Sequence, residues 1–404
     1  MTRLALISDL HIDSDGRHFA ECMRVLHWIA DDLIERAPAA ILIGGDVFEK
    51  RPTPTDVEAA CVLVRRLADV APVLVVYGNH DVERSLAPLA LLDTCYPVHV
   101  LDRPGVVEVN VNGAVALTVA CLPWPRRGAL MAAAGHALSS GESAAICAEL
   151  LGDVMRGLGA EAAELRGERE HGVVLLAHAM VRGSRLSTGQ PLVGAELEVG
   201  VEDLCVSGAD FVALAHVHCG NDWTHGRVPI VYPGSPYRTS YGETEPKGYV
   251  LAEVTRGAAT WQLVETPATP MVLLAGAWSD GALVVGKTAH YLGVRVGDSF
   301  AALGIVGADV RLRYEVQDQD RATARAGAAA WREALLAAGA VAVKTEEEVL
   351  STQVARAPAV AAATTLAEKA RALWAAQGRV LTAGQMDAAV AAIEGIDAGI
   401  RSAA

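Results

Sequence analysis

The sequence predicts an α/β protein: a β-sandwich flanked by helices, followed by a small α/β unit and a terminal pair of helices. Three observations predict it. From Met1 to about Glu265, short apolar runs alternate with stretches of helical spacing, the pattern of strands joined by crossover helices. Five of those runs stop abruptly at a carboxylate, amide or imidazole. Past Thr266-Pro267-Ala268-Thr269-Pro270 the pattern changes to strict alternation and then to Ala-rich helix, so this two-proline stretch reads as a linker.

The organising stretch is Val73-Leu74-Val75-Val76-Tyr77. Bounded by Pro72 and Gly78, it reads as a buried strand of the parallel type, with Asn79, His80 and Asp81 just beyond its carboxyl end. Open α/β sheets place their ligands there. Two earlier strands repeat the arrangement: residues 4–7 run into Ser8-Asp9-Leu10-His11, and residues 39–43 run into Gly44-Gly45-Asp46. The first crossover carries Phe19, Met23, Leu26, Ile29, Ala30 and Leu33 at helical spacing up to Pro38. In the second, Thr55-Asp56 can cap a helix whose Val57, Cys61, Val64 and Leu67 face inward.

After Asp81 the runs shorten. Residues 106–109 and 115–119 flank Asn112-Gly113, a hairpin signal. Residues 139–169 read as helix, with Ile146, Leu150, Val154 and Leu158 at four-residue spacing. The strand at 173–176 ends at His178, and that at 211–214 ends at His216-Val217-His218. A strand at 229–232 meets the rigid turn Pro233-Gly234-Ser235-Pro236, and residues 248–254 form another strand.

Beyond the linker, Val310, Leu312, Tyr314 and Val316 alternate with Arg311, Arg313 and Glu315, giving a half-exposed strand. A helix at 321–338 and a short strand at 340–343 follow. From Leu366 the chain turns helical: Leu366, Ala370, Leu373 and Trp374 share one face, Gly378 breaks it, and Met386, Ala389, Val390 and Ile393 mark a second helix. Two short amphipathic helices make little core alone and must dock on this protein or on another. The expected division is 1–265, 271–345 and 352–404.

At 404 residues the chain is too long for one ordinary core. Its apolar fraction is 52%, yet no run reaches the ~18 apolar residues of a spanning helix, which argues against a membrane protein. Asp9 and His11 interrupt what would be a signal peptide's apolar region, so a cytoplasmic location is expected. The seven cysteines are scattered and form no C-x-x-C pair, which suits free thiols in a reducing compartment. A net charge of −14 works against wrapping nucleic acid over the whole surface but leaves room for a local basic path or for divalent cations.

Asp9, His11, Asp46, Asn79, His80, His178, His216 and His218 carry the chemistry as a set. Taken singly, an Asp at a strand end is more often a helix cap and a His a hydrogen-bonded loop residue. Together, buried carboxylates and imidazoles are costly without a compensating cation. Mixed oxygen and nitrogen ligands without thiolate suit Mn²⁺, Fe²⁺, Mg²⁺ or Zn²⁺. Seven ligands are too many for one ion and about right for two sharing a carboxylate. Such pairs, about 3.5–4 Å apart, assist phosphate-ester cleavage.

In order, Asp9-Leu10-His11, Gly45-Asp46, Gly78-Asn79-His80-Asp81, His178 and His216-Val217-His218 resemble the motifs of the calcineurin-like metallophosphoesterases. Within that superfamily the chain looks like an SbcD-type DNA-repair nuclease subunit, with motifs matching over about residues 1–254. Tyr232-Pro233-Gly234-Ser235-Pro236 followed by Ser240-Tyr241-Gly242-Glu243 supports this. So does the layout of a capping domain and a terminal helix pair.

The resemblance implies two divalent ions, Mn²⁺ foremost, with Mg²⁺, Fe²⁺ or Zn²⁺ as alternatives. One would be held by Asp9, His11, Asp46 and His218, and the other by Asp46, Asn79, His178 and His216, with Asp46 bridging. His80 would contact the scissile phosphate or protonate the leaving oxygen, and Asp81 would orient His80 or cap the following turn. Some members carry a His three residues after the bridging Asp, where this chain has Glu49, often an acid in bacterial members.

The implied activity is that of a DNA exonuclease and endonuclease subunit for end processing and repair, expected as a homodimer. Its terminal helices would bind an SbcC-type coiled-coil ATPase. Arg126, Arg127, Arg182, Arg185 and Arg238 flank the proposed site and are candidates for holding the DNA backbone. Two rival readings share the metal motifs: a phosphoesterase for a small-molecule or protein phosphate ester, and a DNA- or ATPase-binding subunit with little cleavage.

Overall fold

The computed structural model describes residues 1–134, 140–187, 197–279, 281–287, 290–294, 303–350, 358–378, 381–382 and 384–393. Residue 139 of the expected 139–169 helix, and residues 352–357 and 394–404 of the expected terminal segment, lie outside them.

The chain opens with β1 (Thr2–Ile7), α1 (Phe19–Arg36), β2 (Ala40–Ile43), α2 (Pro54–Ala68), β3 (Val73–Val76) and β4 (Val98–Leu101). Helix α1 ends where Ala37 turns left-handed at φ 44°, just before Pro38. Helix α2 starts two residues earlier than the expected Thr55-Asp56 cap. Thr53 accepts the Asp56 N–H while Asp56 accepts the Thr53 N–H, and Pro54 fits the first turn because its missing N–H would have had no helical partner.

Strands β5 (Gly105–Val111) and β6 (Ala114–Leu122) form the hairpin, with Asn112 and Gly113 both at positive φ, as a two-residue turn of this hand requires. Then come α3 (Arg127–Ala134), α4 (Ser140–Arg166), β7 (Gly172–His178), β8 (Met180–Val181), β9 (Glu198–Val199), α5 (Val201–Cys205) and β10 (Phe211–Ala215). Strands β11 (Asn221–His225), β12 (Val228–Tyr232), β13 (Gly248–Thr255) and β14 (Ala258–Glu265) complete this part.

Two six-stranded sheets result, ordered β14-β13-β1-β2-β3-β4 and β11-β12-β10-β7-β6-β5. Their facing sides bury Leu4, Leu6, Leu42 and Leu74 against Val119, Val174, Leu176 and Phe211. The alternate residues Ala5, Ile7, Ile41 and Val75 pack outward against α1 and α2, and Leu175 and Val212 pack against α4. Burial on both faces is why these strands read as continuous apolar runs. The parallel registers Ile7↔Ile43 and Ile43↔Val75 in one sheet, and Ala215↔His178 in the other, bring five carboxyl ends level.

A separate five-stranded sheet follows, ordered β17-β16-β15-β18-β19, from β15 (Met271–Ser279), β16 (Ala282–Lys287), β17 (His290–Val294), β18 (Asp309–Gln317) and β19 (Ala342–Leu350). Helix α6 (Arg321–Ala337) lays Trp331 and Leu335 into its core with Leu274, Val310 and Leu312. Sequence patterning finds β18 and α6 but not β15 to β17, and it stops β19 short at 343. The cause at β19 is chemical: Thr345-Glu346-Glu347-Glu348 is polar on an edge strand, where Glu347 takes Arg321 and Arg325 and Glu346 faces Arg311.

The two parts meet at Tyr241, whose hydroxyl donates to Asp309 Oδ1 at 2.8 Å while Arg17 and Arg311 lie against its ring. Beyond come α7 (Pro358–Ala362), α8 (Leu366–Ala376) and a helical stretch at 384–393. Leu366 and Leu373 of α8 are exposed. Among the described residues no helix is long and apolar enough to cross a membrane.

Candidate metal centre

The strand ends are held in a costly backbone geometry. Asp9, His11, Asp46 and His216 all have positive φ, at 54°, 46°, 48° and 107°, a region that L residues keep only when their surroundings over-determine it. Here the Asp9 and His11 N–H groups donate to the carbonyls of Gly45 and Asp46, and the Asp9 carboxylate accepts the His216 N–H at 3.0 Å. The loops meet without room for a further side chain. A Cβ on Gly78 would overlap the Asp46 carboxylate, and one on Gly45 would come within 2.6 Å of the Gly78 nitrogen.

Around this frame the side chains converge. His11 Nε2 lies 2.9 Å from His218 Nε2 and 3.9 Å from Asp46 Oδ2. On the other side of Asp46, His178 Nε2 stands 3.6 Å from the same oxygen, and Asn79 Oδ1 is 3.0 Å from His178 Nε2 and 2.9 Å from His216 Nδ1. Two groups of ligand atoms emerge, Asp9 with His11 and His218, and Asp46 with His178 and His216. A third group joins His11 to Glu49 and His80.

Second contacts fix the rings. His178 Nδ1 donates to the Gly44 carbonyl at 2.8 Å, so Nε2 carries the lone pair turned toward Asp46 and Asn79. His80 Nδ1 donates to the Glu49 carbonyl at 2.7 Å, leaving Nε2 for a substrate. Asp81 does not orient His80. Its carboxylate accepts the N–H groups of Gly78, Phe48 and Val47 at 2.9, 3.2 and 3.4 Å, tying two strand-end loops together.

The electrostatics are those of a site that awaits positive charge. Burial pushes the Asp46 carboxyl well above the usual range, with Asp9 and Asp81 adding to the effect and His11 opposing it. Burial alone would lower His11, but Glu49, Asp46 and Asp9 raise it to about 9. Burial, then the neighbouring imidazoles, hold His178 and His218 well below the ordinary value.

These residues fit a pair of divalent ions. The donors are oxygen and imidazole nitrogen, and their lone pairs face one another. Neighbouring nitrogens bound at about 2.0–2.1 Å to one ion stand roughly 3 Å apart, the spacing of His11 and His218. The centre opens into a cavity of about 510 Å³ also lined by Asn79, His80, Arg17 and Tyr237.

None of the five predicted arginines lines this cavity; Arg126 and Arg185 bond backbone near its ligands. Arg126 donates to the Asp81 carbonyl and Arg185 to that of Gly220. Arg182 is exposed and faces Glu198 at 3.7 Å, and Arg127 begins α3. Arg238 donates its guanidinium to the carbonyls of Glu243, Ala268 and Glu245.

Three supporting residues escape sequence reasoning. Trp124 lies 4.7 Å from the His216 ring at a 35° tilt and meets His178 edge-on. Glu49 contacts His11 Nδ1 at 2.6 Å. Lys247 is buried between Glu243 and Glu245 and donates to the His218 carbonyl and to Ser235. For Lys247 the available signal is a lone Lys that follows acids at i−4 and i−2.

A sandwich that gathers two groups of oxygen and nitrogen ligands at its strand ends defines a metallophosphoesterase. Residues 2–220 match the model of the calcineurin-like phosphoesterases, over half the chain. The chain therefore belongs to the calcineurin-like phosphoesterase family, metal-dependent hydrolases of phosphate esters. Among curated proteins it is similar to the DNA double-strand break repair protein Mre11 of Aeropyrum pernix, 32% identical over 87 residues. That match spans 20% of this chain and 21% of the relative.

Solved structures similar to it include a dimetal phosphatase from Danio rerio (13% identity, TM-score 0.41, 65% of this chain and 98% of the other). Another is TT1561 of Thermus thermophilus (14%, 0.39, 65% and 98%). A third is GAP50, the anchor in the inner membrane complex of Plasmodium (12%, 0.42, 65% and 84%).

Proposed function

We propose that the protein is a metal-dependent DNA phosphodiesterase, with exonuclease and endonuclease action in DNA end processing and repair. The observation that carries this reading is a phosphoesterase site followed by a separate five-stranded sheet and terminal helices, in a chain partly similar to a DNA double-strand break repair protein.

Two divalent ions, Mn²⁺ foremost, would supply Lewis-acid chemistry to a phosphodiester there. Asp9, His11, Asp46 and His218 would hold one, and Asp46, Asn79, His178 and His216 the other, with Asp46 common to both sets. His80, its Nδ1–H fixed by the Glu49 carbonyl, faces the phosphate through Nε2 and, in its imidazolium form, hands the Nε2 proton to the leaving oxygen. Arg126 and Arg185 hold the DNA backbone. The exposed Leu366 and Leu373 of α8, with the helix at 384–393, form the docking face for an SbcC-type coiled-coil ATPase. The working form in this reading is a cytoplasmic homodimer.

The second reading is hydrolysis of a small or protein-borne phosphate ester, which the 510 Å³ cavity would admit. A Mn²⁺-dependent assay on single-stranded and blunt-ended DNA separates the two. Wild type is expected to cut DNA, and His80→Ala to lose about 10²–10⁴-fold in rate with its metal content intact. Equal cutting by the mutant removes His80 from its role. Turnover of a small diester with no DNA cut overturns the nuclease reading.

A further inference from the structure

A second cavity, of about 410 Å³, opens beside the metal centre between the loops after β3 and β6 and the helices α3 and α4. Its walls are apolar and aromatic, with Tyr77, Leu122 and Trp124 from the strand ends and Leu130 and Val154 from the helices. That size and lining are those of a small-ligand site.

Two wall residues touch side chains of the metal centre. Gly78 lies against the Asp46 carboxylate, and Trp124 lies against the ring of His216. The cavity's charged lining is Arg84, Arg103 and Arg126 together with Glu83 and Asp102. Arg103 is engaged by Asp102 at 3.3 Å, whereas Arg126 bonds the carbonyl of Asp81, the residue after His80. A guanidinium thus stands where the slot meets the phosphate-reactive site. A slot for a flat ring, a phosphate site next to it and a cation between them describe one kind of ligand.

We infer that this cavity receives the base of a nucleotide whose phosphate lies at the metal centre, with Trp124 against the ring and Arg126 on the phosphate. The inference rests on the nuclease reading and deepens it. Stacking on an aromatic side chain tolerates every base, so the slot places a strand without reading its sequence. A paired base cannot enter it, and the strand it takes is single or frayed.

The test uses the full chain and Ala129→Trp, which blocks the cavity from an exposed position on α3. Single-stranded oligonucleotides carry one abasic site, moved stepwise past the scissile bond. In wild type one register is expected to raise KM about tenfold with kcat little changed. Ala129→Trp raises KM equally on the intact strand, loses that abasic penalty and keeps its metal content. If no abasic register matters and Ala129→Trp cuts like wild type, the inference falls and the nuclease reading stands.

Calorimetry in EDTA with a deoxynucleoside monophosphate supplies a readout without catalysis. Binding by wild type but not by Ala129→Trp, in a protein that cuts no DNA, sinks the nuclease reading and leaves the slot to a free nucleotide. Arg126→Ala, which adds no bulk, is expected to weaken the monophosphate about tenfold and to leave the unphosphorylated nucleoside unchanged. Equal effects on both ligands overturn the role given to Arg126.

Discussion

The carboxylate of Glu49 lies 2.6 Å from Nδ1 of His11, and the backbone carbonyl of Glu49 takes the Nδ1 proton of His80. One residue therefore contacts both His11, a candidate metal ligand, and the imidazole beside it. By sequence, Glu49 is only a departure from a pattern.

Removing that carboxylate should loosen the cation rather than the fold. Glu49→Ala is expected to weaken metal affinity about 10–100-fold, the usual cost of losing a partner behind a ligating His, while Glu49→Gln recovers part of it. Mn²⁺ titration by calorimetry measures this directly. Unaltered affinity in Glu49→Ala would show that His11 needs no such support.

The second prediction concerns pH. In the metal-free protein His11 is raised to about 9, so its stabilising contribution is complete below 6.5 and is lost as pH rises through 9. Asp46, raised mainly by burial, shifts stability in the same direction. His178 and His218, lowered by burial, subtract stability below 6.5 instead. Urea denaturation in EDTA is expected to weaken from pH 6.5 to 9, by up to about 3 kcal/mol from His11. With Mn²⁺ the cation takes the proton's place, so the gap between loaded and stripped protein widens over that window. A constant gap would contradict this.

Asp81 offers a test of loop tethering. Asp81→Ala leaves the N–H groups of Gly78, Phe48 and Val47 without their buried acceptor, a loss of roughly 2–4 kcal/mol. Thermal melting should fall by several degrees, and Asp81→Asn by less. An unmoved melting point would mean that water replaces the carboxylate.

The convergence of these Asp, Asn and His residues is legible in the sequence because each stands at the end of a strand buried on both faces, where a sudden polar group stands out. The supporting residues are not. Trp124 looks like any aromatic after a strand, and its contact with His216 spans 92 positions, from the end of β6 to the end of β10 across the intervening β7. Arg238 looks like a surface cation, yet three carbonyls claim it. Strand β14 is half-exposed along its length, so it lacks the apolar run that reveals β1 to β3. In each case the missing information is which distant backbone comes alongside.

The left-handed turns at Asp9, His11, Asp46 and His216 bear on any attempt to move this chemistry to another scaffold. Copying the side chains onto ordinary strands would aim them elsewhere, since the unusual torsions do the aiming. A designer would have to import the bent ends together with the two sheets that hold them bent, and at that point most of the sandwich has been copied.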